Sequence, residues 1–170
     1  MEPINVVIAF YSRYCETEKL ALAVGLGVLQ ARATPRFRRI ADLAPASAIE
    51  KDERWSENLE RMRIEYVAPR PGDPKLADVL VLAAPGDDTC EVRRYVESLA
   101  TDGSLVGRIA APIAASNQDE CLAPIYAAVA RTGMIIVPPL LSDDPADAAR
   151  RHGAALVKMA RVLKSAQPSA

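Results

Sequence analysis

Apolar residues along this chain fall into two alternating patterns, short unbroken runs and longer stretches with three- and four-residue spacing. Residues 5–10 (NVVIAF) and 79–84 (VLVLAA) are runs without a polar face, as expected for strands buried on both sides. Residues 108–115 read the same way, and residues 134–141 give a further strand whose two prolines mark its end or an edge position. Residues 36–40 (RFRRI) are charged enough to suit an edge strand. Between these runs the spacing turns helical. Leu20, Val24, Val28 and Ala31 stripe residues 17–32, Val92, Tyr95, Val96 and Leu99 stripe residues 91–100, and further helices are expected over 122–131 and 146–164. Ala21, Ala23, Gly25 and Gly27 would let the first helix lie close on a sheet. Five strand–helix alternations specify a parallel sheet covered on both faces, with expected strand order 2-1-3-4-5.

One element lies outside that alternation. Residues 49–66 form an amphipathic helix after the second strand, with Trp55, Leu59, Met62 and Tyr66 on one stripe, followed by the proline-rich connector APRPGDP. Its stripe is expected to cover an edge or to meet another subunit. In a sheet of this order ligands bind beyond the carboxyl ends of the strands, at the switch point between the first and third. Three loops therefore carry the functional question: residues 12–17, 85–91 and 115–121.

Composition narrows the choices. The 170 residues suit a single domain spanning 1–170, and 21 Lys and Arg nearly balance 22 Asp and Glu, giving a net charge of −1 and no field to gather nucleic acid. No run approaches the roughly 18 to 20 apolar residues of a membrane span, and the opening residues lack the basic flank of a secretory signal. A cytoplasmic protein without membrane or nucleic-acid partners is the expectation.

The first loop, FYSRYCETEK, places Ser12 and Thr17 beside a helix N-terminus, where unpaired N–H groups and the helix dipole suit an anion. The competing reading is that Ser12 or Thr17 merely caps the helix. Neither a G-x-G-x-x-G nor a Walker-type motif is present. The strand leading into YSRYCETEKLALAVGLGV resembles the first strand, phosphate loop and first helix of flavodoxin-like proteins, closest to the WrbA-like NAD(P)H:quinone oxidoreductases with their YS-x-Y-G-x-[ST] loop. VGRIAAPIAAS, TGMIIVPP and the closing DPADAARRHGAALVKMARVLK are similar to later segments of the same family, in order.

The resemblance implies a flavodoxin-like three-layer α/β sandwich that binds FMN and moves electrons from NAD(P)H to a quinone-like acceptor, or carries them, as a homodimer or homotetramer. It further implies a phosphate cradle of Ser12, Tyr14, Glu16 and Thr17 with Arg13 nearby, and Cys15 where the family has glycine. Pro85, Gly86 and Asp87, with Ser116 and Asn117, would face the ring and ribityl chain. No side chain is expected to act as a catalytic acid or base, and no metal is expected. Both ring loops depart from the pattern: PGDDTCE lacks the aromatic of P-T-R-[FY]-G, and ASNQDE lacks glycine. The alternative is therefore the same fold with a decayed flavin site, binding another small anion or a protein. Asp87, Asp88, Asp119 and Glu120 gather near the expected ring, where they would lower a flavin's reduction potential or simply favour helix N-termini. Cys15, Cys90 and Cys121 fall one on each loop, which leaves a thiol sensor conceivable and chance placement the simpler account. His152 is expected on the surface.

Overall fold

The computed structural model describes residues 3–86, 89–116, 118–140 and 143–166, with the side chains of residues 118 and 119 excepted. In chain order the elements are β1 (Asn5–Phe10), α1 (Glu16–Gln30), β2 (Thr34–Arg39), α2 (Ala46–Ile49), α3 (Glu53–Glu65), α4 (Asp73–Leu76), β3 (Val79–Ala84), α5 (Cys90–Glu97), β4 (Ile109–Ala114), α6 (Gln118–Ala130), β5 (Ile135–Ile136) and α7 (Pro145–Ala166). All strand pairs are parallel and the order is β2-β1-β3-β4-β5, as the alternation requires.

Alternate residues of β1 feed two separate cores. Val6, Ile8 and Phe10 pack with α1 and α7, whereas Val7, Ala9 and Tyr11 pack with α5 and α6. A strand whose two faces are both buried cannot show polar alternation, which is why NVVIAF and VLVLAA read as unbroken apolar runs.

Four expectations need correction. The glycine-bearing face of α1 is divided between sheet and helix: a Cβ on Gly25 would strike the Phe37 ring of β2, but one on Gly27 would sit 1.8 Å from the Arg150 carbonyl oxygen of α7. Gly153 answers it, since its Cβ would lie 2.2 Å from the Val24 carbonyl oxygen, so the two backbones touch. The second correction is His152 of α7, which is 2% exposed and not on the surface. Third, the last strand shrinks to Ile135–Ile136; Val137 N–H still reaches the Ala110 carbonyl at 2.9 Å, but Pro138 and Pro139 have no N–H to continue the ladder. Leu141 of the expected strand lies outside the described residues.

The fourth concerns α3. Its stripe is buried in its own chain, with Met62 in the α1-side core beside Phe10 and Trp55 and Leu59 in a satellite cluster with Tyr14. The stripe thus covers an edge and is not open to another subunit. The Tyr66 ring lies edge-on to Phe10, 5.0 Å between centroids, and Val67 then bridges Arg38 on the outer side of β2.

Candidate functional site

The three loops lie side by side at the carboxyl end of the sheet, because β1, β3 and β4 are neighbours: Tyr11 N–H donates to the Ala83 carbonyl and Ala115 N–H to that of Ala84. Within the first loop Ser12 is 1% exposed, and its Oγ has no hydrogen-bond partner among the described residues. A buried hydroxyl left unpaired costs about 1–3 kcal/mol, so it marks a place where a ligand atom would be welcome. Cys15 is the N-cap of α1, with φ 74° and ψ −10°, and its side chain caps nothing. Thr17 is buried within the first turn, past the cap position. Neither hydroxyl is therefore the cap, and the N-terminal N–H groups of α1 receive no side-chain cap from the residue placed to supply one.

The left-handed backbone at position 15 is where glycine is at ease and an L-residue is strained by roughly 1–2 kcal/mol. What holds it is α3. The Asn58 side-chain amide donates to the Arg13 carbonyl at 2.8 Å, while the Cys15 thiol meets Asn58 Oδ1 at 3.1 Å. The Tyr14 hydroxyl donates to Asp52 Oδ2 at 2.5 Å, and this bond lowers the Asp52 carboxyl and raises the Tyr14 phenol. Asp52 also caps α3 through Trp55 N–H at 3.0 Å. One helical turn on, Arg61 donates to both oxygens of buried Glu18, at 3.0 and 2.5 Å, and the Tyr66 hydroxyl adds a bond at 2.7 Å. Burial alone would raise the Glu18 carboxyl, but these bonds outweigh it and the net shift is downward.

Asp52, Trp55, Asn58 and Arg61 thus form a second, mostly polar stripe at three-residue spacing that straps the loop and the first turn of α1. The apolar pattern of α3 gave no sign of it. Its sequence signal is the spacing itself, set one position aside from the apolar stripe.

The other expected site residues are distributed as follows. The Arg13 guanidinium lies over the Trp55 ring, 4.6 Å from its centroid, with Nε donating to the Tyr11 hydroxyl at 2.9 Å and Nη2 3.9 Å from Glu91 Oε1. The protein's own groups therefore engage it. Glu16 points outward toward Arg54, 3.7 Å away, so only its backbone faces the loop. Pro85 and Gly86 follow β3, and Gly86 abuts the third loop: a Cβ there would lie 1.6 Å from Ser116 Oγ. The Cys121 thiol contacts the Gly86 carbonyl, which ties the same two loops from behind. Asp87, Asp88 and Asn117, and the side chain of Asp119, lie outside the described residues, and Glu120 is exposed. Cys90 is exposed, and among the described residues no group of three or more His, Cys, Asp or Glu stands together as a metal site.

No protein-family model matches the chain. An NAD(P)H dehydrogenase (quinone) of Deinococcus radiodurans is 24% identical over 153 residues, spanning 84% of this chain and 76% of that one. Among solved structures, a flavodoxin from the domain Archaea superposes with a TM-score of 0.61 at 12% identity, over 93% of this chain and 99% of that one. The flavodoxin of Megasphaera elsdenii gives 0.60 at 17%, over 90% and 98%, and a flavone reductase gives 0.62 at 10%, over 98% and 66%. The chain has the flavodoxin-like fold, and most of its length is similar in sequence to a quinone-type NAD(P)H dehydrogenase.

Proposed function

We propose that the protein binds FMN at the carboxyl edge of its sheet and is an NAD(P)H:quinone-type oxidoreductase of the WrbA-like kind, or an electron carrier built on the same site. The observation that carries this reading is the unpartnered, fully buried Ser12 hydroxyl beside an uncapped helix N-terminus. A phosphate monoester supplies what both lack, acceptor oxygens for the hydroxyl and for the first-turn N–H groups. In the proposed complex Ser12 and Thr17 bond phosphate oxygens, the backbone from Arg13 to Glu16 adds donors, and the α3 strap keeps the loop shaped before the ligand arrives. Pro85, Gly86 and Asp87 on one side and Ser116 and Asn117 on the other would flank the ring. A bound flavin would supply two-electron redox chemistry between NAD(P)H and a quinone-like acceptor. The protein's part is to bind, orient and set the local charge. The relation in sequence to a quinone-type NAD(P)H dehydrogenase supports the choice of donor and acceptor. A single cytoplasmic domain assembling as a homodimer or homotetramer completes the proposal; among the described residues no helix is long and apolar enough to cross a membrane.

Titration of FMN with the protein tests it. Quenching of flavin fluorescence that saturates at one FMN per chain at micromolar protein supports the reading, and indifference up to millimolar protein removes it. One observation favours a second reading, a fold whose flavin site has decayed. The loops after β3 and β4 close against each other at Gly86 and Ser116, and neither brings an aromatic or a spare glycine to a ring. Under that reading inorganic phosphate binds the first loop and FMN binds no better than phosphate.

A further inference from the structure

A right-handed link from β2 to β3 must cross the sheet face that carries α5 and α6. Here the only long helix of that link, α3, packs on the opposite face with Phe10 and Phe37. The crossing is left to the proline-rich residues 66–78, whose helical part is the four-residue α4 alone. What remains beside α5 is a cavity of about 720 Å³, walled by apolar groups that include Leu43, Pro69, Leu99 and Leu105. None of Ser12 to Thr17, Pro85, Gly86 or Ser116 lines it.

Two of the residues lining this cavity carry a buried oxygen that has no partner among the described residues, Glu91 Oε2 and the Tyr95 hydroxyl. Glu91 is only 3% exposed. Its other oxygen already has Leu43 N–H at 3.5 Å and Arg13 at 3.9 Å, so what Oε2 lacks is a neutral hydrogen-bond donor more than a second cation. Burial, with the Asp73 carboxylate adding to it and Arg38 opposing, pushes the Tyr95 phenol up to about 12. It therefore keeps its proton and offers a donor. At the rim stand exposed Arg70, Lys75 and Arg94. An amine ligand would have to enter past three positive charges, whereas an anion is drawn by them.

We propose that this cavity is a second binding site, sharing with the three loops of the flavin edge only Glu91, for an aromatic acid: a largely apolar molecule with one O–H or N–H donor for Glu91, an acceptor for Tyr95 and an acidic group held at the rim. The volume suits a ligand of small-molecule size, and the few convergent polar groups in an apolar wall are what such sites show.

The probe is 1-anilinonaphthalene-8-sulfonate, which joins two aromatic systems, one N–H and a sulfonate. Its fluorescence is titrated with the full-length protein, alone and with saturating FMN. The site predicts saturable binding of one probe per chain that FMN does not displace. Ser98→Trp, at the exposed mouth, weakens it by at least about tenfold, and Arg94→Glu by about threefold or more. Both variants keep the melting temperature and the FMN response of the natural protein. Displacement of the probe by FMN, equal binding by both variants, or no saturable signal overturns the proposal.

Discussion

The Asn58 side-chain oxygen lies 3.1 Å from the Cys15 thiol, at the one loop residue whose backbone is left-handed. Those positions are 43 apart in sequence. A strained turn persists where its surroundings over-determine it, and α3 does this by holding the residue together with the Arg13 carbonyl two positions before it.

The backbone at position 15 can be tested apart from the thiol. Cys15→Ala and Cys15→Gly both remove the contact with Asn58, but only glycine relieves the positive φ. The glycine variant should be more stable than the alanine variant by about 1 kcal/mol. Urea unfolding midpoints measure it, and an alanine variant as stable as the glycine one would mean that the loop does not take this conformation.

Ser12→Ala should move two observables in opposite senses. Its hydroxyl is buried without a partner, so its loss leaves the ligand-free protein as stable or slightly more so. If the hydroxyl bonds a phosphate, FMN affinity falls by about 1–3 kcal/mol. Fluorescence titration and thermal melting of the same sample provide both readings. A helix-capping serine would give the reverse, lost stability with affinity kept.

The parts of this molecule legible in sequence are those fixed by neighbours along the chain. β1, β3 and β4 are unbroken apolar runs because both faces are covered, and β1 leads into a hydroxyl-rich turn whose place at the switch point follows from topology alone. Illegible parts depend on partners far away. Asn58 and Arg61 look like solvent-facing polar residues of an amphipathic helix until the fold brings Cys15 and Glu18 beneath them. His152 sits among arginines and reads as surface until the packing of α7 on the rest of the fold buries it. The cavity beside α5 exists because α3 chose the opposite face, a preference that its stripe shows only once Phe10 and Phe37 are its neighbours.

Arg61→Met should loosen the strap. It leaves the Glu18 carboxylate buried with the Tyr66 hydroxyl and the weak Cys15 thiol as donors. A fully buried pair broken in this way costs about 3–5 kcal/mol; because Arg61 is partly exposed, about 1–2 kcal/mol is expected after solvent screening. Glu18→Gln combined with Arg61→Met should recover part of it, since no buried charge is then left unpaired. A double-mutant cycle in urea checks this, and additive losses would show that the two residues do not act together. The pair's pH dependence has a definite sign: Glu18 is held below the usual glutamate range, so its stabilisation is full above about 4.5, the unfolded value, and is lost as pH falls through the folded one.

His152 gives the higher of the two acid transitions. Burial of this α7 side chain lowers its pKa from 6.5 to about 4, and its Nε2 has no partner among the described residues. Between those values the unfolded chain binds a proton that the folded chain refuses, so stability rises with pH across the window. It is undiminished above about 6.5 and falls as the pH drops toward 4, the total loss being about 3 kcal/mol from the size of the shift. His152→Leu removes the titrating group and should flatten the stability profile over that range, whatever its constant packing cost at pH 7. Urea unfolding of both proteins at pH 7, 5.5 and 4 gives the comparison. Parallel profiles would place the proton uptake elsewhere.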